Sequence, residues 1–97
     1  MQHIEFNPEA RKELLQALDW YAKRSLVLAE NFYGEFNLAV RAIADMPEAW
    51  PPHMGDVRRF FLHRFPFAVI YRRSEKVIRI TAVMHLKRRP YYWKKRR

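Results

Sequence analysis

The stretch MHLKRRPYYWKKRR, residues 84–97, holds the densest set of side chains that could do chemistry. Seven of its residues are Lys or Arg, one is His, and three aromatic residues stand between two basic runs. Histidine side chains can exchange protons with a substrate, so His85 could act as an acid or base while neighbouring cations hold a phosphate beside it. Those cations are Lys87, Arg88 and Arg89, followed by Lys94, Lys95, Arg96 and Arg97.

A structural role for His85 is the alternative, in which a local hydrogen bond orders the turn between the last strand and the tail. The other histidines, His3, His53 and His63, have no mutual spacing that is typical of a metal site. The chain has no cysteine, so thiolate ligands are absent as well. We therefore expect neither a metal ion nor a cofactor.

The aromatic residues of this stretch, Tyr91, Tyr92 and Trp93, have two possible uses. Rings placed between cations can stack on unpaired bases while the charges hold phosphates. The same rings can anchor the tail, because Pro90 breaks the strand and lets Tyr91 and Trp93 fold back onto the domain, leaving the terminal KKRR free. We expect Trp93 to be an anchor, with Tyr91 beside it, since large aromatic side chains are usually buried.

Charge is divided unequally along the chain, whose net charge is +9. Residues 1–56 carry five Lys or Arg against nine Asp or Glu, whereas residues 57–97 carry fourteen against one. This asymmetry indicates a surface that faces a polyanion or an acidic protein partner. The alternative is a solvated basic face that only keeps the protein soluble.

Two helices are predicted in the acidic half. Asn7, Pro8 and Glu9 form a typical helix start, with a capping side chain, a proline that needs no N–H partner and an acid in the first turn. Ser25 can cap a second helix, whose apolar residues recur at helical spacing until Pro47 ends it. Before them HIEFN opens with alternating apolar residues, Ile4 and Phe6, as a short strand does, and after them PEAWPPHMGD is predicted to be a turn-rich loop.

Three strands are predicted in the basic half: VRRFFL, FAVIYRR and KVIRITAVMH. The breaks between them are short, which favours antiparallel hairpins. Simple alternation along the last strand places Ile78, Ile80, Ala82 and Met84 on one face. The order of elements predicts an α+β fold, in which an N-terminal strand and two helices precede a three-stranded antiparallel meander and a basic tail.

The chain is long enough for one domain, residues 1–97, with a modest core. Its N-terminus lacks the pattern of a signal peptide, and its longest apolar stretch, FPFAVIY, is too short to span a bilayer. We expect a soluble, cytoplasmic protein without a membrane partner.

The chain resembles the RelE/ParE superfamily of toxins from type II toxin–antitoxin modules, and the ParE (plasmid stabilisation) branch in particular. Its most specific feature is RFPFAVIY followed downstream by the pattern H-x-x-R-R-P-x-x-W. The other similar stretches are FNPEARKELLQALDWYAKRS, LAENFYGEFNLAVRAIADMP, RRFFLHRFPFAVIYR and AVMHLKRRPYYWKKR. The resemblance implies two helices packed on an antiparallel sheet, and an antitoxin segment that wraps around the domain and keeps it inactive.

Two targets follow from the resemblance. A RelE-like member would cleave mRNA on the ribosome, with Arg59, His85, Arg88 and Arg89 as the candidate catalytic residues. Here Phe61 and Ala68 stand at two positions where the nucleases tend to carry basic residues. We therefore expect a ParE-like poison of DNA gyrase that is not an enzyme, and keep the ribonuclease and a non-toxic nucleic-acid-binding module as alternatives.

Antitoxin carboxylates or the target are expected to meet a basic sheet face and the tail. The candidate contact residues are Arg58, Arg59, Arg72, Arg79, Lys87, Arg88, Arg89, Lys94, Lys95, Arg96 and Arg97.

Overall fold

Two helices lie against one face of a five-stranded sheet in the computed structural model, which describes residues 3–97. The sheet order is β1-β5-β4-β3-β2. This arrangement confirms the predicted α+β class. The elements are β1 (His3–Phe6), α1 (Pro8–Ala22), α2 (Leu26–Asp45), β2 (Pro52–Met54), β3 (Val57–Phe61), β4 (Phe67–Arg73) and β5 (Val77–His85).

Both predicted helix starts are confirmed. The Asn7 side chain accepts a hydrogen bond from the Glu9 N–H at 2.8 Å, and Pro8 is the first residue of α1. The Ser25 hydroxyl accepts from the Leu28 N–H at 3.2 Å at the start of α2. These side chains satisfy N–H groups that have no partner within the helix, so the chain begins each helix where the sequence predicts.

The sheet has one strand more than the sequence predicts. β2 lies in the segment that was expected to be a loop, and it forms an antiparallel edge beside β3. Gly55 makes the tight turn between these strands with φ at +58°, a conformation that side chains with a Cβ disfavour. Pro52 has no backbone N–H to donate, but it fits in β2 because one row of backbone groups on an edge strand is not paired with another strand. At the other edge, β1 pairs with β5 in parallel.

The face of the sheet that carries the helices buries a cluster of aromatic rings. The Tyr21 ring centroid lies 5.1 Å from that of Phe32, and Phe32 lies 5.3 Å from Phe65 and 5.2 Å from Phe67. Edge-on and tilted contacts at these distances are favourable for aromatic side chains. We call this surface the helix-side face.

A β-bulge changes the alternation along β5. Ile70 pairs with Ala82 but Tyr71 pairs with Ile80, so Thr81 has no partner on β4. The prediction of one shared face is therefore wrong beyond Ile80. Ile78 and Ile80, before the bulge, pack on the helix-side face, whereas Ala82 lies on the opposite face, together with Met84. One extra residue suffices because side chains alternate with a period of two.

The opposite side of the sheet, which we call the outer face, has a smaller apolar cluster. It consists of Val57, Ala68, Ile70, Ala82 and Trp93, with Met54, Met84 and Tyr92 packed against it. Within residues 3–97, none of the helices is long and apolar enough to cross a membrane.

Candidate functional site

The basic tail, residues 86–97, turns back over the outer face of the sheet. Trp93 is fully buried in the outer-face cluster, while Tyr91 beside it is 46% exposed. Trp93 therefore has the placement that an anchor requires. Its indole N–H is buried without a hydrogen-bond partner among the described residues, so packing alone holds the ring in place.

Glu13 of α1 joins the tail to the domain. Its carboxylate accepts hydrogen bonds from the Val83 N–H at 3.0 Å, from the Tyr92 hydroxyl at 2.7 Å and from both terminal nitrogens of Arg96 at 2.9 and 3.1 Å. The Glu13 and Arg96 side chains are only 10% and 17% exposed. Burial and the hydrogen bond to Glu13 raise the pKa of Tyr92, so its phenol stays protonated and donates. Nothing in the sequence distinguishes Glu13 from an ordinary solvated acid of a helix.

The terminal KKRR is not free, contrary to the prediction. Arg96 also donates to the Thr81 carbonyl at 3.3 Å, in addition to its pair with Glu13. The main-chain oxygen of Arg97 accepts from the Asn7 side chain at 2.7 Å and from Arg79 at 3.3 Å. The reason is that Arg96 forms two charge-assisted hydrogen bonds with Glu13, and these are stronger than hydrogen bonds between neutral groups. Lys94 and Lys95 remain exposed.

The strand arginines predicted as one basic face are divided between both faces. Arg59, Arg72 and Arg79 lie on the outer face with Val57, whereas Arg58 points to the other side, where its guanidinium donates to the carbonyls of Trp50 and Glu48. Two of the three outer arginines already have carboxylate partners. Arg72 pairs with Asp56 at 2.9 Å and Arg79 with Glu5 at 3.2 Å.

Of the residues proposed for ribonuclease chemistry, His85 and Arg88 lie on one side of the sheet and Arg59 lies on the other. The His85 ring packs edge-on against Phe67 at 5.0 Å on the helix-side face, and its Nδ1 accepts from the Lys87 N–H at 3.0 Å. Arg88 lies on the same side. One of its terminal nitrogens is 3.9 Å from a Glu13 carboxylate oxygen, and its guanidinium carbon is 3.9 Å from the Tyr92 ring centroid. Arg59 lies on the outer face. The sheet therefore separates Arg59 from His85.

A groove of about 350 Å³ opens between α1 and the end of β5. Its lining is mostly apolar, and Trp20, which is 51% exposed, forms one wall. An exposed tryptophan beside an apolar groove is a typical feature of a protein-contact surface. No sequence pattern indicates this groove, because it depends on how α1 meets β5. It is lined by Glu13, Gln16, Ala17, Trp20, Tyr21, Pro66, Phe67, Val83, His85 and Arg88.

Several cations of the tail form no ion pair with any residue in the range 3–97. Because no carboxylate in the described part of the chain offsets their charge, these exposed side chains can attract an approaching acidic partner. The same described residues contain no group of three or more His, Asp or Glu side chains that could hold a metal ion. The cations are Lys87, Arg89, Lys94, Lys95 and Arg97, and we call them the tail cations.

The fold resembles that of a solved structure, and the sequence matches a family model. Comparison with curated protein sequences gives no match. A solved structure described as "Chromosomal ParDE TA system from P. aeruginosa" superposes with a TM-score of 0.76 at 20% sequence identity, covering 90% of this chain and 98% of that chain. Residues 4–90 match the family model described as "ParE toxin of type II toxin-antitoxin system, parDE". The chain therefore belongs to the family of ParE toxins of type II toxin–antitoxin systems.

Proposed function

We propose that this protein poisons DNA gyrase and that an acidic or amphipathic segment of a cognate antitoxin neutralises it. The observation that carries the choice of target is the separation of Arg59 from His85 by the sheet. Cleavage of RNA needs an acid–base group and several cations at one phosphate. A poison that acts by binding needs only a complementary surface, and no proton transfer.

The docked tail supports a binding mechanism. Trp93 and the Glu13–Arg96 pair fix the backbone of residues 92–96 against the domain. Lys94 and Lys95 are then presented from a held segment, so less conformational entropy is lost when they meet a target. The recognition surface consists of these lysines together with the other tail cations.

For the antitoxin, we infer a segment whose carboxylates approach the tail cations and Arg59. Arg72 and Arg79 already form ion pairs within the domain, so they contribute less to such an interface than the sequence predicts. An apolar part of the segment fits the groove at Trp20, which lies beside the tail at Arg88. Association steered by so many cations is fast at low salt and slows as salt is added.

The proposal is tested with purified protein in a gyrase supercoiling assay. We expect inhibition by the wild type, and a loss of roughly tenfold in potency when Lys94 and Lys95 are both changed to Ser, because each exposed contact contributes a fraction of the binding free energy. The matched control is the double variant Arg41→Ser and Lys76→Ser, which removes two exposed cations outside the tail. Its potency should equal that of the wild type.

A ribosome assay tests the alternative function, which is ribonuclease activity. In a ribosome assay the wild type should leave mRNA in the A site intact. The gyrase proposal would be wrong, and the protein would be a ribonuclease, if the wild type cleaved mRNA at specific codons without inhibiting gyrase and His85→Ala lost this cleavage.

A further inference from the structure

A row of aromatic and cationic groups runs across the outer face beside the Trp93 cluster. The Tyr91 and His53 rings are stacked with centroids 5.3 Å apart and planes 15° apart. An Arg59 guanidinium nitrogen lies 3.4 Å from Nε2 of His53, and its guanidinium carbon lies 4.6 Å from the Phe61 ring centroid. We call Tyr91, His53, Arg59 and Phe61 the aromatic row.

The rings of Tyr91 and Phe61 are exposed, although the apolar cluster of the outer face lies next to this row. Tyr91 is 46% and Phe61 48% exposed, while the neighbouring Trp93 is fully buried. Tyr91 also adopts φ of +61°, the left-handed region that residues with a Cβ rarely occupy. That conformation costs about 1–2 kcal/mol. Strain of this kind often occurs at ligand sites, and here it belongs to the residue whose ring is stacked on His53.

A concave surface adjoins the row. A cavity of about 250 Å³ is lined by Trp50, Pro51, Pro52, His53, Arg59, Phe60, Phe61 and His63. Burial, followed by the nearby charge of Arg59, lowers the pKa of His53, so its imidazole is a neutral stacking surface and an acceptor for Arg59. The site thus combines flat rings and one central guanidinium, within a segment of high positive charge.

We propose that the aromatic row is a binding site for single-stranded nucleic acid. Unpaired bases stack on the exposed faces of Tyr91 and Phe61, and phosphates are held by Arg59 and by the tail cations that flank Tyr91 in the chain. Flat rings with cations between them suit bases and phosphates, whereas a pocket for an apolar side chain would not place a guanidinium at its centre. A duplex fits poorly because its bases are stacked on one another. The proposal does not rest on gyrase as the target.

Fluorescence anisotropy with labelled single strands of about twelve nucleotides, one of deoxythymidine and one of uridine, tests the proposal. Tyr91→Asn removes the ring while keeping a residue that tolerates the left-handed region, and Phe61→Ser removes the other exposed ring. We expect each to weaken binding about tenfold, the range found when a stacking ring is removed. Tyr33→Ala is the control, because Tyr33 is a similarly exposed tyrosine on α2. It should bind as the wild type does.

Each outcome is decisive. Tighter binding of one strand identifies DNA or RNA as the source of the ligand. Equal binding of a duplex, with both ring variants unchanged, would mean that charge alone acts and would overturn the proposal. Loss of gyrase or antitoxin binding in the ring variants, without binding of either strand by the wild type, would make the row a protein contact. Thermal unfolding of every variant is measured in parallel, and Phe61→Ser carries the test if Tyr91→Asn does not fold.

Discussion

The two faces of the sheet are covered in different ways. The helix-side face is covered by α1 and α2 through a cluster of stacked and edge-on aromatic rings. The outer face is covered by the tail, a short stretch of turns that buries one large ring, Trp93, against small and aliphatic side chains. The cover of the outer face therefore depends on very few contacts. Its loss would expose an apolar surface without removing a helix or a strand.

Each helix also has a carboxylate that fastens a segment without regular structure. On the helix side, Glu35 of α2 accepts hydrogen bonds from the N–H groups of His63 and Arg64 and from the Arg64 side chain. On the tail side, Glu13 of α1 holds Tyr92 and Arg96. The helices thus provide both the apolar layer and the polar attachments of the loops.

The largest effect should follow from removing the outer-face anchor. We expect Trp93→Ala to lower the free energy of unfolding by about 3–5 kcal/mol, the range for a large buried aromatic side chain. The matched control is Trp20→Ala, since Trp20 is half exposed and its loss should cost much less. Urea unfolding of both variants checks this. Equal stability of Trp93→Ala and the wild type would show that the tail does not contribute to the fold.

A smaller effect is expected at the tail-side carboxylate. Glu13→Gln keeps the shape of the side chain but leaves the Arg96 guanidinium largely buried without its charge partner. We expect a loss of about 2–3 kcal/mol, because hydrogen bonds to charged groups are among the stronger ones. Glu30→Gln on the exposed surface of α2 serves as the control and should change stability little. If thermal unfolding gives the same midpoint for both variants, the tail is held by Trp93 alone.

The smallest effect is expected at Glu35, the helix-side carboxylate, and it depends on pH. Burial would raise the pKa of Glu35, but hydrogen bonds from the His63 and Arg64 backbone and the charge of Arg64 outweigh it and lower the pKa. A depressed pKa contributes stability above the unfolded value, about 4.3, and this contribution is lost as the pH falls through the folded value. Glu35→Gln should therefore be less stable at pH 7, and should lose less stability than the wild type below about pH 4. Urea unfolding at both pH values measures this difference, and parallel pH profiles would contradict it.

Local chemistry made much of the fold predictable. The caps at Asn7 and Ser25, the aromatic and β-branched composition of β3 and β4, and the alternation in the first part of β5 follow from single residues and their neighbours. The strand β2 was missed because Pro51, Pro52 and Gly55 are typical of turns, and only its pairing with β3 makes it a strand. The bulge was missed because alternation cannot reveal an extra residue.

The candidate site was less predictable because it depends on contacts distant in sequence. Glu13 and Arg96 are 83 positions apart, so neither residue type nor spacing indicates their pair. The sequence placed Arg58 and Arg59 together, but neighbouring residues of a strand point to opposite faces. His53 lay in a predicted loop, and its stacking with Tyr91 follows from the fold of the tail.

The extra residue of β5 couples this strand to the tail. Thr81 has no partner on β4, and its carbonyl accepts from Arg96. Deleting Thr81 would leave the faces of every other residue in β5 unchanged, since the residues around it already alternate correctly without it. The loss of this one residue would therefore change how the tail is held without changing which side chains of β5 face the core.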